Sequence, residues 1–298
     1  LGLGSKISMI MESAILYLTD LIDYDLAKDK LKDYIKNKFF KKGEDILKAN
    51  YDSLELAKDY IREVSLSDEV ILLDEEKELD TFSIITKRLG DTLKTSDFID
   101  MADGTYKCGT AALEKRGVSE VVPKWISEAC IQCNQCSFIC PHGVIRPYLL
   151  SDEEYEKAPK YIKDRTLTPT FPELKKYHYI NAISVSDCTG CGLCMKNCPG
   201  KRGVKALVPN EYSEALKDKE QAIFDYLDKN ISEKREIDKT IISGTQFVKP
   251  KFAFSGACAG CGETAYIKLL TQLFGDRMVI ANATGCSSIY GASMPSMP

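Results

Sequence analysis

A chain of 298 residues, 44% hydrophobic and 28% charged, has the composition of globular protein, which excludes a disordered tail or a collagen-like fibre. Its formal net charge of -4 lacks the basic excess of a dedicated nucleic-acid binder. No run of about 18 uncharged apolar residues offers a membrane span, and at roughly 100–200 residues per domain two or three domains are expected.

The opening LGLGSKISMI has no initiator Met, basic n-region or small-residue cleavage site, so it is not a signal peptide. It reads as a chain whose start is missing. Gly2 and Gly4 make a poor phosphate loop, because no strand precedes them. Residues 1–65 are Lys-rich and helical: Ile10, Ala14, Tyr17, Leu18 and Leu21 recur at helical spacing, and Ile46, Leu54, Leu56 and Ile61 do so more loosely. Amphipathic helices that cover a domain lying mostly upstream are expected. Residues 66–119 open with an acidic run (Asp74, Glu75, Glu76, Glu78, Asp80) and turn at Ala102-Asp103-Gly104-Thr105. They read as a small connecting domain with a solvated acidic face. Cys108 has no Cys or His neighbour and reads as a free thiol.

Residues 120–212 hold two cysteine runs, and the insert 142–186 between them, with Pro147, Pro159, Pro169 and Pro172, reads as a surface loop with short strands. Residues 213–245, amphipathic through Tyr226, Leu227 and Ile231, read as a helical linker. From 246 the character changes again. Gly256 to Gly262 is a Gly-rich turn, Glu263 to Phe274 predicts a helix ended by Gly275, Met278 to Ala283 predicts a strand, and Thr284-Gly285-Cys286 a second turn. That order opens an α/β domain that is barely begun at Pro298.

Twelve Cys stand against two His. Nothing marks the chain as secreted, and it is long enough to bury a core without disulfides, so clustered Cys point to metal or redox chemistry. Cys130-x2-Cys133-x2-Cys136-x3-Cys140-Pro141 and Cys188-x2-Cys191-x2-Cys194-x3-Cys198-Pro199 both have the bacterial ferredoxin spacing for a [4Fe–4S] cubane. Two-residue gaps bring three thiolates onto one cube from a single turning loop, while the fourth Cys points away and ligates the other cluster. The sets are therefore Cys130, Cys133, Cys136 and Cys198 for cluster A, and Cys188, Cys191, Cys194 and Cys140 for cluster B. Gly190 and Gly192 relieve crowding where backbone N–H groups approach sulfur. A zinc ribbon needs only two CxxC knuckles, and two complete runs exceed it. His142 and His178 lack ligand-like partners and read as structural. Cys258-x2-Cys261 with Cys286 supplies three thiols, which do not complete a cubane. Either a fourth ligand lies beyond Pro298, or these are a CxxC redox pair and a separate thiol.

These residues resemble a known family. The stretch from Trp125 through Ile131-Gln132-Cys133-Asn134-Gln135-Cys136 to Cys140-Pro141-His142 is similar to the ferredoxin domain of pyruvate:ferredoxin (flavodoxin) oxidoreductases. So are Asp103-Gly104-Thr105 and the run from Gly109 to Gly117. Phe254 to Thr264 and Ala281 to Ser288 look like the start of that family's thiamine-diphosphate domain. The resemblance implies a multidomain α/β and α+β chain: a bacterial two-[4Fe–4S] ferredoxin-like domain followed by the truncated start of a thiamine-diphosphate-binding α/β domain, with residues 1–65 as the helical end of a preceding γ-like α/β domain. It implies oxidative decarboxylation of pyruvate with coenzyme A to acetyl-CoA and CO2, electrons leaving through three [4Fe–4S] clusters to ferredoxin or flavodoxin. Cys258, Cys261 and Cys286 would serve the cluster nearest thiamine. Glu263, Thr264, Thr284, Gly285, Ser287 and Ser288 would border the diphosphate end of the cofactor. The Gly-Asp-Gly…Asn stretch that holds Mg2+ is absent, as are the upstream pyruvate-binding residues, so no catalytic acid, base or nucleophile is named and the segment alone is expected to be catalytically incomplete. A cytoplasmic homo-oligomer that binds neither nucleic acid nor membrane is expected. Another 2-oxoacid:ferredoxin oxidoreductase and a stand-alone electron carrier are the alternatives; the string at 254–264 argues against the carrier, which has no use for a truncated α/β domain.

Overall fold

The computed structural model describes residues 7–63, 80–234, 236–292 and 296–298. The chain divides into two compact units, Leu1–Glu75 and Glu76–Pro298. Gly2 and Gly4 and the acidic residues Asp74, Glu75, Glu76 and Glu78 lie outside the described residues.

The described part of the first unit is three helices, α1 (Ser8–Thr19), α2 (Tyr24–Phe39) and α3 (Glu44–Tyr60). Asp23 starts α2 by accepting the Leu26 N–H at 2.9 Å, and Gly43, at φ +98°, turns the chain into α3. Met9, Ile35 and Leu54 form the core. The helical periodicity of α1 holds, but its inward face is not the expected one. Tyr17, Leu18 and Leu21 are exposed, while Met9 and Ser13 are buried. Small Ser13 lets α1 approach α3, and its hydroxyl donates to the Leu54 carbonyl at 2.9 Å, so the buried polar group is satisfied.

In the second unit Asp80 caps α4 (Thr81–Thr86), its carboxylate accepting from the Ser83 N–H at 2.8 Å. Then come α5 (Ala111–Glu114), β1 (Val121–Trp125), α6 (Gln135–Ile139), β2 (Ile145–Leu150), α7 (Asp152–Lys157), α8 (Lys160–Lys163) and β3 (His178–Ile183). They are followed by α9 (Leu193–Asn197), β4 (Leu207–Glu211), α10 (Tyr212–Lys217), α11 (Glu220–Asn230), α12 (Ile242–Thr245), α13 (Gly262–Phe274) and α14 (Cys286–Ala292). Strand, cysteine turn, short helix and strand occur twice. β1 pairs antiparallel with β4, from Val121 opposite Glu211 to Trp125 opposite Leu207, and β2 with β3, from Ile145 opposite Ile183 to Leu150 opposite His178. Each strand thus pairs with a strand of the other repeat, and the two repeats interlock.

Three expectations differ from what forms. The insert 142–186 is not a surface loop: Ile145, Leu149, Leu150, Ile162, Tyr179, Ile180 and Ile183 belong to the main core, because β2 and β3 are apolar enough to be buried on both faces. The segment 213–245 is helical but not a linker, since Ile223, Phe224 and Leu227 of α11 close over the same core. Residues 278–283 form no strand. Val279 is 98% exposed and Ile280 is exposed too; a strand needs a partner, and none of the described residues supplies one. No helix among the described residues is long and apolar enough to cross a membrane.

Candidate metal centre

Both cysteine runs are built on one backbone pattern. A single 3-10 turn, Ser127–Ala129 or Val185–Asp187, sets up the first Cys, and a short helix, α6 or α9, carries the third toward the fourth. Two residues past the first Cys the chain is left-handed, at Gln132 (φ +58°) and at Gly190 (φ +66°). It is left-handed again two residues later, at Asn134 (φ +56°) and Gly192 (φ +73°). The bend aims the Gln132 N–H at Cys130 Sγ, 3.4 Å away, and the Gly190 N–H at Cys188 Sγ, 3.5 Å away.

Glycine takes this conformation freely; Gln132 and Asn134 do not. Their side chains are tied instead. Gln132 donates to the Thr168 carbonyl and accepts from the Thr170 N–H, both at 2.9 Å. Asn134 donates to the Ser243 carbonyl at 2.8 Å and accepts from the Tyr179 hydroxyl at 2.9 Å. These bonds offset a backbone cost of order 1–2 kcal/mol each.

The fourth cysteine of each run crosses to the other. Cys130, Cys133, Cys136 and Cys198 line one small cavity, and Cys140, Cys188, Cys191 and Cys194 line a second. Burial, then the neighbouring Cys130 and Cys133, push the Cys136 thiol up to about 12. Burial does the same to Cys188, also to about 12, with Cys140 and Cys191 adding to it and the Gly190 N–H opposing. Thiols held up in this way, with other thiols beside them, cannot ionise together without positive charge among them. A cluster of irons supplies that charge, and the donor set fits it. The polar surroundings fit as well: the Asn181 amide donates to Cys136 Sγ at 3.6 Å and the Ala206 N–H to Cys198 Sγ at 3.3 Å. Burial raises the Cys130 thiol, and the buried Trp125 indole N–H, which has no hydrogen-bond partner among the described residues, acts against that rise. Sulfur is the acceptor it faces. Among the described residues no three His, Cys, Asp or Glu side chains converge on a point that would hold one metal ion; the thiols ring cavities instead, unlike the tight tetrahedron of a zinc site.

The third set is looser. Cys258 is exposed and half-buried Cys261 precedes α13, its N–H donating to the Cys258 carbonyl at 3.0 Å. Exposed Cys286 begins α14. Burial and then the Glu263 carboxylate raise the Tyr290 hydroxyl to about 12, with Cys261 and Cys286 adding to the shift. Of the six residues expected near thiamine, Glu263, Thr284 and Gly285 are exposed. Thr264 is turned inward, its hydroxyl donating to the Cys261 carbonyl at 3.4 Å. Ser288 folds back on its own turn, donating to the Gly285 carbonyl at 2.8 Å, beside half-buried Ser287. Cys108 is an exposed free thiol.

His142 was read from the sequence as structural, and Lys268 escaped that reading. His142 lines the second cavity, and its ring nitrogens lie 3.2 Å from the carbonyl oxygens of Ser255 and Cys258. Lys268 is buried against the carbonyls at the end of α6. The signal for the lysine lay in α13 itself: Thr264, Lys268, Thr271 and Gln272 share a helical face and are buried, while Tyr266, Leu270, Leu273 and Phe274 are exposed. This helix presents its polar face to the protein, the reverse of the usual amphipathic arrangement.

Interlocked repeats holding two crossed four-cysteine cavities define a ferredoxin-type module, and residues 129–204 match the family described as 4Fe-4S dicluster domain. Residues 81–119 match a second family, described only as a domain of unknown function. Beyond the module, the whole chain is homologous to pyruvate–flavodoxin and pyruvate:ferredoxin oxidoreductases. It is 43% identical to the pyruvate-flavodoxin oxidoreductase of Klebsiella pneumoniae, over 100% of this chain and 26% of that protein. It is 39% identical to the pyruvate:ferredoxin oxidoreductase of Moorella thermoacetica, again over 100% and 26%. A pyruvate dehydrogenase [NADP(+)] of Cryptosporidium parvum is 36% identical over 100% of the chain and 17% of its own length. The chain thus spans about a quarter of the first two relatives.

Proposed function

We propose that this chain is the electron-relay segment of a pyruvate:ferredoxin or pyruvate–flavodoxin oxidoreductase, which oxidatively decarboxylates pyruvate with coenzyme A to acetyl-CoA and CO2. The observation that carries the reading is the pair of crossed four-cysteine cavities. Cys130, Cys133, Cys136 and Cys198 hold one [4Fe–4S] cluster, and Cys140, Cys188, Cys191 and Cys194 the other. Each cluster, when bound, takes up and hands on one electron. Cys258, Cys261 and Cys286 hold a third group together with a ligand that remains to be found. The turn they share lies against the second cavity: a Cβ on Gly260 would stand 3.4 Å from the Cys191 Cβ. Electrons therefore pass from the third site to the Cys188 set and on to the Cys130 set, then to ferredoxin or flavodoxin.

Residues 246–298 begin the thiamine-diphosphate domain, residues 1–65 end a preceding α/β domain, and 66–119 connect. The exposed apolar face of α13, with Val279, Ile280 and Ile289 also exposed, supports further structure packing there. Glu263, Thr264, Thr284, Gly285, Ser287 and Ser288 are the residues nearest that cofactor, and Mg2+ finds its ligands elsewhere. A cytoplasmic homo-oligomer is the setting the resemblance implies.

The test is Cys140→Ser. Resonance and Mössbauer spectra should show damage to the cluster held by Cys188, Cys191 and Cys194. Damage to the Cys130 cluster instead would refute the crossed assignment. Residues 1–298 reconstituted without oxygen should bind about eight irons, four for each complete four-cysteine site.

A further inference from the structure

Among the described residues, the charged side chains in the interior of the second unit are paired, with one exception. Arg146 meets Asp228 at 2.6 Å and Glu220 meets Arg165 at 2.9 Å. Lys268 is 1% exposed, and among the described residues no carboxylate pairs with it. Its ammonium donates to the carbonyls of Ser137 and, at 3.1 Å, Phe138. Both belong to α6, the helix that joins Cys136 of one cavity to Cys140 of the other. Burial brings the Lys268 pKa down to about 8, with Cys140 and Cys136 pulling upward and Arg146 adding to the fall. Its stem runs beside left-handed Gly143 (φ +64°), where a Cβ would lie 3.6 Å from the Lys268 Cδ, an ordinary contact. An unpaired buried ammonium is costly, and a [4Fe–4S] cluster on four thiolates is an anion in either oxidation state.

We infer that Lys268 is the buried counter-charge of the two relay clusters: from α13, the helix that begins at Cys261, it reaches the helix shared by both ligand sets and raises their reduction potentials. Net charge near a cluster is among the main determinants of its potential. Because reduction adds an electron to an anion, a fixed cation next to it favours the reduced form. The same lysine ties the third cysteine turn to the module that receives its electrons. Lys268 is a positioning and tuning residue, and the inference rests on the cluster assignment above.

The experiment is a potentiometric titration followed by electron paramagnetic resonance on the intact protein, purified anaerobically, with iron and sulfide analysis of every sample. Lys268→Met removes the charge and the hydrogen bonds, Lys268→Gln removes the charge and keeps an N–H donor for the Ser137 and Phe138 carbonyls, and Lys268→Arg keeps the charge. Both neutral variants should bind wild-type iron and be about tenfold harder to reduce at one or both clusters, about 59 mV for a one-electron couple. The arginine variant should stay near wild type. Loss of iron in both neutral variants but not in Lys268→Arg would also support the counter-charge role. Neutral variants with full iron and unmoved potentials would overturn it, and so would equal loss of iron in all three, which marks a merely structural lysine. A wild-type protein without iron and sulfide would overturn the cluster assignment itself, and this inference with it.

Discussion

His142 Nε2 lies 3.2 Å from the carbonyl oxygen of Cys258, so one imidazole links the wall of the second cavity to the turn that carries the third cysteine set. Its Nδ1 lies equally close to the Ser255 carbonyl, and the Phe254 N–H donates back to the His142 carbonyl at 2.8 Å. Residues 254–258 are thereby held as one strap over the Cys140–His142 corner. Burial lowers the pKa of the ring, against the pull of the Cys258 and Ser255 carbonyls.

Replacing His142 with Leu should therefore loosen the strap before it harms the ferredoxin module. A buried carbonyl left without a donor costs about 1–3 kcal/mol. In the full-length protein, iron at the proposed Cys258, Cys261 and Cys286 site should fall first in His142→Leu, while the Cys130 cluster keeps its wild-type spectrum. Uniform loss of all iron would contradict a local role.

Gly190 and Gly192 share a left-handed backbone, yet they differ in surroundings. A Cβ on Gly190 would lie 2.2 Å from the Ser119 Oγ and 3.3 Å from the Val121 carbonyl, whereas at Gly192 the nearest atom is the Met195 Cε at 3.9 Å. Both Ala variants carry about 1 kcal/mol of backbone strain, but only Gly190→Ala adds a collision, beside Cys188. Gly190→Ala should lose the iron of the Cys188 cluster and Gly192→Ala should keep most of it. Adding Ser119→Gly to Gly190→Ala should restore part of the iron; failure to do so would mean that the collision is not the cause.

The paired glycines also explain what the sequence made plain and what it hid. Cysteine spacing alone separated the two crossed sets, because the fourth thiol of a run with Cys-Pro geometry has no room at its own cube. The helix after Cys261 was legible from its start and from Gly275, the residue that caps it. Lys268 and the partners of His142 were hidden because a lone Lys or His in sequence does not announce which distant carbonyls it will meet. Short strands were expected in 142–186, but its prolines suggested a surface loop and hid that the strands are buried. Pro147 sits in β2 opposite Asn181, and the core forms around it. The expected strand at 278–283 does not form, because an apolar alternation alone does not make a strand without a partner among the described residues.

Asn134 tests how the first run manages without glycine. Asn134→Gly relieves the left-handed strain but leaves the buried Tyr179 hydroxyl without its acceptor; Asn134→Ala loses the bonds and keeps the strain. Denaturant unfolding of the anaerobic protein should place Ala below Gly by about 1 kcal/mol, and both below wild type. Equal stability of the two variants would show that the backbone at 134 relaxes.

The pH dependence of stability should carry the mark of Glu154. Its carboxylate is part-buried, which pushes its pKa upward. The Lys234 ammonium at 2.5 Å, the Ser151 N–H at 2.8 Å and the Ser232 N–H at 3.0 Å outweigh that, and the group is held down to about 2, against an ordinary value of 4.5. The native state therefore keeps its carboxylate where the unfolded chain has already taken up a proton. Stability from this group is complete above about pH 4.5 and is lost as pH falls from there toward 2, since the unfolded state binds the extra proton. The same carboxylate closes the capping box of α7 with Ser151 and joins it to the segment after α11, so Glu154→Gln should cost about 2 kcal/mol at pH 7. Urea unfolding of wild type and Glu154→Gln at pH 7, 5 and 3 checks the sign. The gap between them should be equal at pH 7 and 5 and smaller at pH 3. A gap that widens on acidification would mean that Glu154 is protonated in the native protein and that Lys234 is not its partner.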